Sequence, residues 1–468
     1  MPAQTPNAVV SVAVVADGLP AAVRAKAVIA VSLSLLLALL DYAIANVALP
    51  EIAQDLQASS SASIWVVNAY QLASFVSLLP LAALGARVGY ARLCLFGVVL
   101  FMASSVGCAM STSLLFLSIA RAAQGLAGAC ILSVNTALIR FIYPHAELGR
   151  GLALNTVIVG VGLALGPTVA GLVLAVATWP WLFWINIPLG ALTLFLGYAS
   201  LPRVAAHGSM PDALGALLCV IAFTALGLGA DGLAHGANWS VQLILLAAGG
   251  AALMALTRRE SGLAHPILPV DLLRAPAFCV AFLTGLIGYV ASNFFIISMP
   301  FTLHQDYGWS ATATGLLMTS WAFGLITSST MTRRLSDRVP ASVISSAGLL
   351  LTAVGFVALR LLPDHPGAFS IGSRIFVAAF GFGLFQVPNN RAMMFGAPAG
   401  REGGASGMVQ VSRQGGQTLG AIAVAATLRI AAPNGGLECL DAAAACAALA
   451  AVLSASRLVR KRSRAASA

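Results

Sequence analysis

Charge is what this chain lacks. Only 9% of its 468 residues are charged and 59% are hydrophobic, with a mean hydropathy of +0.92. A water-soluble fold of this length needs a polar skin several times richer, so lipid is the solvent for most of the chain. The six histidines are scattered, and Cys94, Cys108, Cys130, Cys219, Cys279, Cys439 and Cys446 lie in or beside apolar runs. None of these shows metal-ligand spacing, so no metal site is expected, and the cysteines read as small buried residues. The net charge of +10 falls in short loops without aromatic interleaving, which argues against nucleic acid as a partner.

What the chain has is a succession of long apolar runs. Stretches long enough to span a bilayer fall near 27–49, 64–84, 93–110, 114–137, 152–176, 181–200 and 212–230. Seven more lie near 240–257, 277–303, 311–331, 341–360, 370–390, 405–430 and 438–457. The 45 glycines and 21 prolines suit close helix packing and bends in lipid. If Arg24 and Lys26 lie inside, 21 of the 25 basic residues fall on the inner side, Arg413 counted among them. Arg360, Arg374 and Arg429 fall outside, and Arg121 within a span. This asymmetry predicts fourteen helices with both termini cytoplasmic, in the inner membrane.

The expected organisation is a cytoplasmic tail over 1–26, six helices over 27–200, two additional helices with linkers over 201–275, six more over 276–457 and a basic cytoplasmic tail over 458–468. The apolar patch Val9–Ala16 is too short to span and has no basic residue before it, so the first helix serves as an uncleaved insertion signal.

Several motifs stand out. Leu40 through Pro50 reads LDYAIANVALP, placing Asp41 and Asn46 inside an apolar helix. An acid there costs about 2.5–3.5 kcal/mol on insertion scales. Either it serves function or it is a hydrogen-bonded tie to a neighbouring helix. The fourth span carries Arg121, Gln124, Gly125 and Gly128, an R-x-x-Q-G-x-x-G run. The fifth carries Gly162, Gly166, Pro167 and Gly171 in G-x-x-x-G-P-x-x-x-G, whose glycines would make a flat packing face and whose proline would bend the helix. Trp65–Tyr70, Trp181–Gly190 with Asn186, Asp212–Gly215, and Arg413-Gln414-Gly415-Gly416 with Gly420 complete the set. Two basic turns echo one another eight spans apart: Leu84–Gly89 with Arg87, and Leu335–Pro340 with Asp337 and Arg338.

Together these resemble the fourteen-helix drug:proton antiporter branch of the major facilitator superfamily, along about residues 27–430. The resemblance implies an all-α fold of two six-helix bundles with two extra central helices, rocking around a central cavity. It implies export, with Asp41 and Arg121 in proton coupling and Asn46, Gln124, Gly125, Gly162, Gly166, Pro167, Gly171 and Arg413 in the cavity or the conformational change. It also implies a cytoplasmic latch at Arg87, Gly89, Asp337 and Arg338. Here the chain departs from the family: Ala86 replaces the usual aspartate of the first latch loop, and Pro340 replaces a glycine in the second.

Depth supports one pairing. Asp41 lies eight residues before the outer end of its span at 49, and Arg121 seven after the outer start of its span at 114. At 1.5 Å per residue both sit about 10–12 Å deep, so they can meet. The expected function is proton-coupled efflux of small lipophilic compounds by a monomer embedded in the bilayer, with the proton gradient as energy source and no cofactor. The sequence names no periplasmic adaptor. With Asp41 the only acid deep in a span, neutral, zwitterionic or singly charged substrates are expected and divalent cations disfavoured. A carrier for one metabolite on the same fold, a membrane-embedded enzyme and a non-transporting sensor are the rivals. The enzyme would need a cluster of reactive groups at one depth that the chain does not show.

Overall fold

The computed structural model describes residues 18–466 apart from 203–211, 262, 264–265, 336–338, 397–401 and 432–434. Within these the regular elements are helical, and each of the fourteen apolar stretches forms one long helix. The first six are α1 (Ala21–Asp55), α2 (Trp65–Val88), α3 (Tyr90–Ala109), α4 (Leu114–Ile142), α5 (Leu148–Leu174) and α6 (Asn186–Ser200). Then come α7 (Ala213–Ala234), α8 (Trp239–Glu260), α9 (Pro276–Phe301), α10 (Ala311–Leu335), α11 (Ala341–Arg360), α12 (Ala368–Gly396), α13 (Glu402–Ile430) and α14 (Gly435–Ala466). Single helical turns at Ser60–Ser63 and Trp181–Trp184 lead into α2 and α6.

Eleven described helices are long and apolar enough to cross a membrane. Of the other three, α10 is rich in Ser and Thr and α13 in Gly and Gln, and both pack at the seam between the halves and not only against lipid. The helices outrun the apolar stretches at several ends. In particular α14 continues through the basic run to Ala466, since Arg and Lys are good helix formers once the chain has left the hydrocarbon.

Packing repeats with an offset of eight helices. In the first half α1 packs on α4, α5 and α6, α2 on α4, and α3 on α4 and α6. In the second half α9 packs on α12, α13 and α14, α10 on α12, and α11 on α12 and α14. The contacts between halves obey the same symmetry: α5 meets α10, α2 meets α13, and α1 meets α9. The additional pair α7–α8 packs on itself, and α7 covers the seam between α2 and α13.

Local chemistry fixes this extra pair. Asp212 caps α7 by accepting from the Gly215 amide at 2.9 Å, and also takes two hydrogen bonds from Arg259 of α8 at 2.7 and 2.9 Å. The Arg259 hydrogen bonds, with the amide, hold this half-buried carboxyl below its ordinary range. At the end of α8 the buried Glu260 accepts from the amides of Ile267 and Leu268, turning the chain toward α9.

At the opposite end of α7, Asp231 is buried and accepts from the Asn68 side chain of α2 at 2.5 Å. His235, just beyond α7, lies 3.1 Å from the Asp231 carboxylate, and its other ring nitrogen lies 3.1 Å from the Ser61 carbonyl. Trp65 stacks on the imidazole. Burial alone would lower the His235 pKa. The hydrogen bond and charge of Asp231, helped by the two carbonyls, outweigh it and push the value up to about 9. Because the folded value exceeds the unfolded one, this tie contributes fully below about pH 6.5 and is lost as pH rises through about 9. The melting temperature of the purified protein should therefore fall between pH 6.5 and 9.5, by an amount on the order of 2 °C from this group. His235→Gln should remove that part of the fall; an unchanged fall in the variant would show that the imidazole does not carry it.

Candidate functional site

The first half is built around a buried ion pair. Arg121 of α4 is wholly buried and Asp41 of α1 is 2% exposed, and the Arg121 Nη1 donates to Asp41 Oδ2 at 2.5 Å. The same Nη1 donates to Gln124 Oε1 at 2.7 Å, and Nε donates to the Val66 carbonyl of α2 at 3.0 Å. The second carboxylate oxygen, Asp41 Oδ1, accepts from Gln124 Nε2 at 2.9 Å and from Asn186 Nδ2 of α6 at 2.7 Å. Ser105 of α3 accepts from both amides. Such a pair resists the loss of one partner, because the other is then left charged in low dielectric at a cost of about 3–5 kcal/mol.

Tyr70 of α2 completes the pair's surroundings. The Arg121 guanidinium sits 4.4 Å over the Tyr70 ring centre and 5.7 Å from that of Phe183. The glycines of the same motif fit the same tyrosine. A Cβ on Gly125 would stand 2.2 Å from the Tyr70 carbonyl oxygen, and one on Gly128 would stand 2.8 Å from its hydroxyl. The R-x-x-Q-G-x-x-G run is thus a mould of Tyr70, with the arginine on its ring and the glycines along its backbone and hydroxyl.

Tyr70 also borders a central cavity. Tyr42, Tyr70, Gln71 and Ser74 line it from the first half, and Arg413, Gln414 and Gln417 from α13, with Ala38, Leu39 and Leu132 completing the wall. The space open to water centres is only about 30 Å³, room for two or three waters. Polar bonds cross the middle of the molecule here: Tyr42 donates to Asn293 of α9 at 2.9 Å, and Ser74 donates to Gln414 at 3.4 Å. Toward the face where α1 ends, the halves are sewn together. Gln54 meets His304 at 2.8 Å, Ser61 donates to the Ala425 carbonyl, and Gln305 donates to Ser60.

Other sequence-selected residues are placed less simply. Asn46 donates to the Tyr42 carbonyl of its own helix and does not reach Asp41. Arg413, counted among the inner-loop charges, lies within α13 and lines the cavity instead. The fifth-span glycines do not share one face. Cβ atoms on Gly162 and Gly166 would meet Leu39 and Ala43 of α1, whereas one on Gly171 would meet the Thr312 carbonyl of α10. Five residues separate 166 from 171, about 140° around a helix, so the motif serves two neighbours. Pro167 stays inside α5, its carbonyl against Gly315 of α10. Arg87 lies in the last turn of α2, and Gly89 turns the chain at a φ of 99°, a conformation that favours glycine. Asp337 and Arg338 lie outside the described residues. Asn186, Ser105 and Tyr70 escaped selection as site residues, although Asn186 and Tyr70 sat in motifs already noted. Asp231, a second buried acid, was signalled only by its i, i+4 spacing from His235.

The Major Facilitator Superfamily matches this chain over residues 31–421 and again over 277–465. The chain belongs to that superfamily. It is 42% identical to the uncharacterized transporter YebQ of Escherichia coli (strain K12) over 96% of this chain and 99% of that one. It is 30% identical to the multidrug resistance protein Stp of Mycobacterium tuberculosis over 84% and 73% of the two chains. The crystal structure of a peptide transporter POT matches the fold with a TM-score of 0.72 at 15% identity, covering 93% of this chain and 94% of that one. The protein is therefore a multi-pass membrane transporter of this superfamily and not an enzyme.

The fit around Tyr70 gives a direct structural expectation. Gly125→Ala sets a methyl against backbone that cannot turn aside, and should destabilise the protein by about 1–3 kcal/mol. Gly250, on α8, has nothing within 4 Å of a would-be Cβ, so Gly250→Ala should be tolerated. Equal melting temperatures for the two variants would show that α2 and α4 can separate at no cost.

Proposed function

We propose that the protein is a proton-coupled exporter of small lipophilic compounds, working by alternating access in the inner membrane with both termini cytoplasmic. The observation that carries this reading is the buried Asp41–Arg121 pair, one residue away from a cavity that both halves line. Protonating Asp41 cancels the charge that Arg121 pairs with, leaving the guanidinium held by Gln124, the Val66 carbonyl and the Tyr70 ring. The first half then repacks, and the halves rock about the cavity. With the positive-inside orientation, the face sewn by Gln54, Ser60 and Ser61 is the outer one, closed in this conformation. Export from the cytoplasmic side then requires those bonds to open while the proton enters from outside. The similarity to a multidrug resistance protein supports lipophilic cargo, and the cavity wall, which has no acid among its described residues, disfavours divalent cations.

Asp41→Asn keeps the shape but cannot cycle a charge, and should abolish gradient-driven export in vesicles; because it leaves the Arg121 charge unpaired it should also lower the melting temperature, so export is compared at equal amounts of folded, inserted protein. Full activity would sink the coupling role. Arg121→Lys should fail too, since an ammonium cannot reproduce the guanidinium contacts to Asp41, Gln124 and Val66 together.

The two faces of the fifth helix separate folding from motion. Gly171 faces α10 across the seam between halves, so Gly171→Ala should slow turnover more than it weakens substrate binding. Gly166 faces α1 within one half, so Gly166→Ala should chiefly lower stability. Equal losses of affinity and turnover in Gly171→Ala would count against a part in the rocking motion.

A further inference from the structure

The molecule holds two arginines deep in its helices beside Tyr70, and they are treated oppositely. Arg121 is enclosed by a carboxylate, an amide, a carbonyl and two aromatic rings. Arg413 reaches the cavity with no ion pair and no side-chain hydrogen bond among the described residues, and its Nε is buried without a partner. An unpaired guanidinium in a low-dielectric setting is costly, and such charges mark the paths of substrates or ions. The cavity offers it amide and hydroxyl groups from Gln71, Gln414, Gln417 and Ser74, but no carboxylate. Beside them stand the rings of Tyr42 and Tyr70 and the side chains of Leu39 and Leu132.

We propose that this cavity is the substrate site and that Arg413 is the counter-ion for an acidic group on the substrate. Resting on the transport reading above, this narrows the cargo to lipophilic organic anions. The guanidinium fork donates two N–H groups to the oxygens of a planar carboxylate. The tyrosines and leucines then take the apolar body, with the glutamines orienting it. A cation would meet like charge there and gain nothing in return. The small free volume of this conformation means that the halves part to admit such a substrate, which breaks the Ser74–Gln414 and Tyr42–Asn293 bonds.

The test is equilibrium binding to the purified full-length protein, with no proton gradient. Three probes share one ring system: 1-pyrenebutyrate, its carboxamide and a matched trimethylammonium compound. Wild type should bind the carboxylate about tenfold or more tighter than the carboxamide, and the ammonium compound most weakly. Arg413→Gln should remove the preference, Arg413→Lys should keep part of it, and Arg413→Glu should turn it toward the ammonium compound. Equal affinities of wild type for carboxylate and carboxamide would overturn the assignment, as would an unchanged preference in correctly folded Arg413→Gln and Arg413→Glu. A carboxylate preference that follows Arg413 in a protein showing no proton-driven export would uphold the site and refute the coupling reading instead.

Discussion

The hydrocarbon interior forces one constraint on everything else: Asp41 and Arg121 cannot be separated without leaving a naked charge. Their shell draws on α1 for Asp41, α2 for the Val66 carbonyl and Tyr70, α3 for Ser105, α4 for Arg121 and Gln124, and α6 for Asn186. Among the described residues, five of the six helices of the first half contribute to that shell and α5 does not. That helix packs on α1 through Gly162 and Gly166, and reaches across to α10 through Gly171. The ion pair therefore holds five helices as one body, and the sixth links that body to the other half.

The two halves share a packing plan without sharing a chemistry. Where the first half places its charge pair, the second builds an aromatic core from Phe295 of α9, Trp321 of α10, Phe356 of α11 and Phe382 of α12. Its ring centres lie 4.7 Å apart for Phe295 and Trp321, and 5.7 Å for Trp321 and Phe382. A core of rings has no protonation state to change, whereas the Asp41 carboxylate has one. The same asymmetry puts the isolated Arg413 on the side of the cavity contributed by the second half.

Much of this was legible in the sequence for a physical reason. Lipid requires backbone hydrogen bonds to be satisfied within each span, so length and hydropathy reveal the helices directly. Depth along two antiparallel helices likewise brought Asp41 and Arg121 together, since rise per residue is fixed. Rotation about the helix axis was harder to read. Gly162, Gly166 and Gly171 look like one small-residue face in linear spacing, yet they meet two different helices, and Asn46 points back at its own helix. Arg413 went astray because a count of loop charges treats every arginine near an apolar run as a membrane-edge residue. The contacts of Asn186 and Asp231 depend on which helices become neighbours, which no single stretch encodes.

On the proposed reading, coupling between a proton taken up at Asp41 and the cavity would have little distance to cover. Tyr70 is common to both: the Arg121 guanidinium lies over its ring, and the residue also lines the cavity together with Arg413. Its hydroxyl donates to the Ala38 carbonyl of α1 at 3.1 Å, one turn before Asp41. The glycines of α4 leave its backbone and hydroxyl no free space on that side. A guanidinium that moves when its carboxylate is neutralised must either carry the tyrosine with it or lose the ring. Both outcomes change the shape and the potential of the surface the substrate meets. A long chain of intermediates is unnecessary when one side chain belongs to both sites. If the proposal holds, proton and cargo would act on the same few atoms, and the halves would respond because α2, which carries Tyr70, also packs on α13 across the seam.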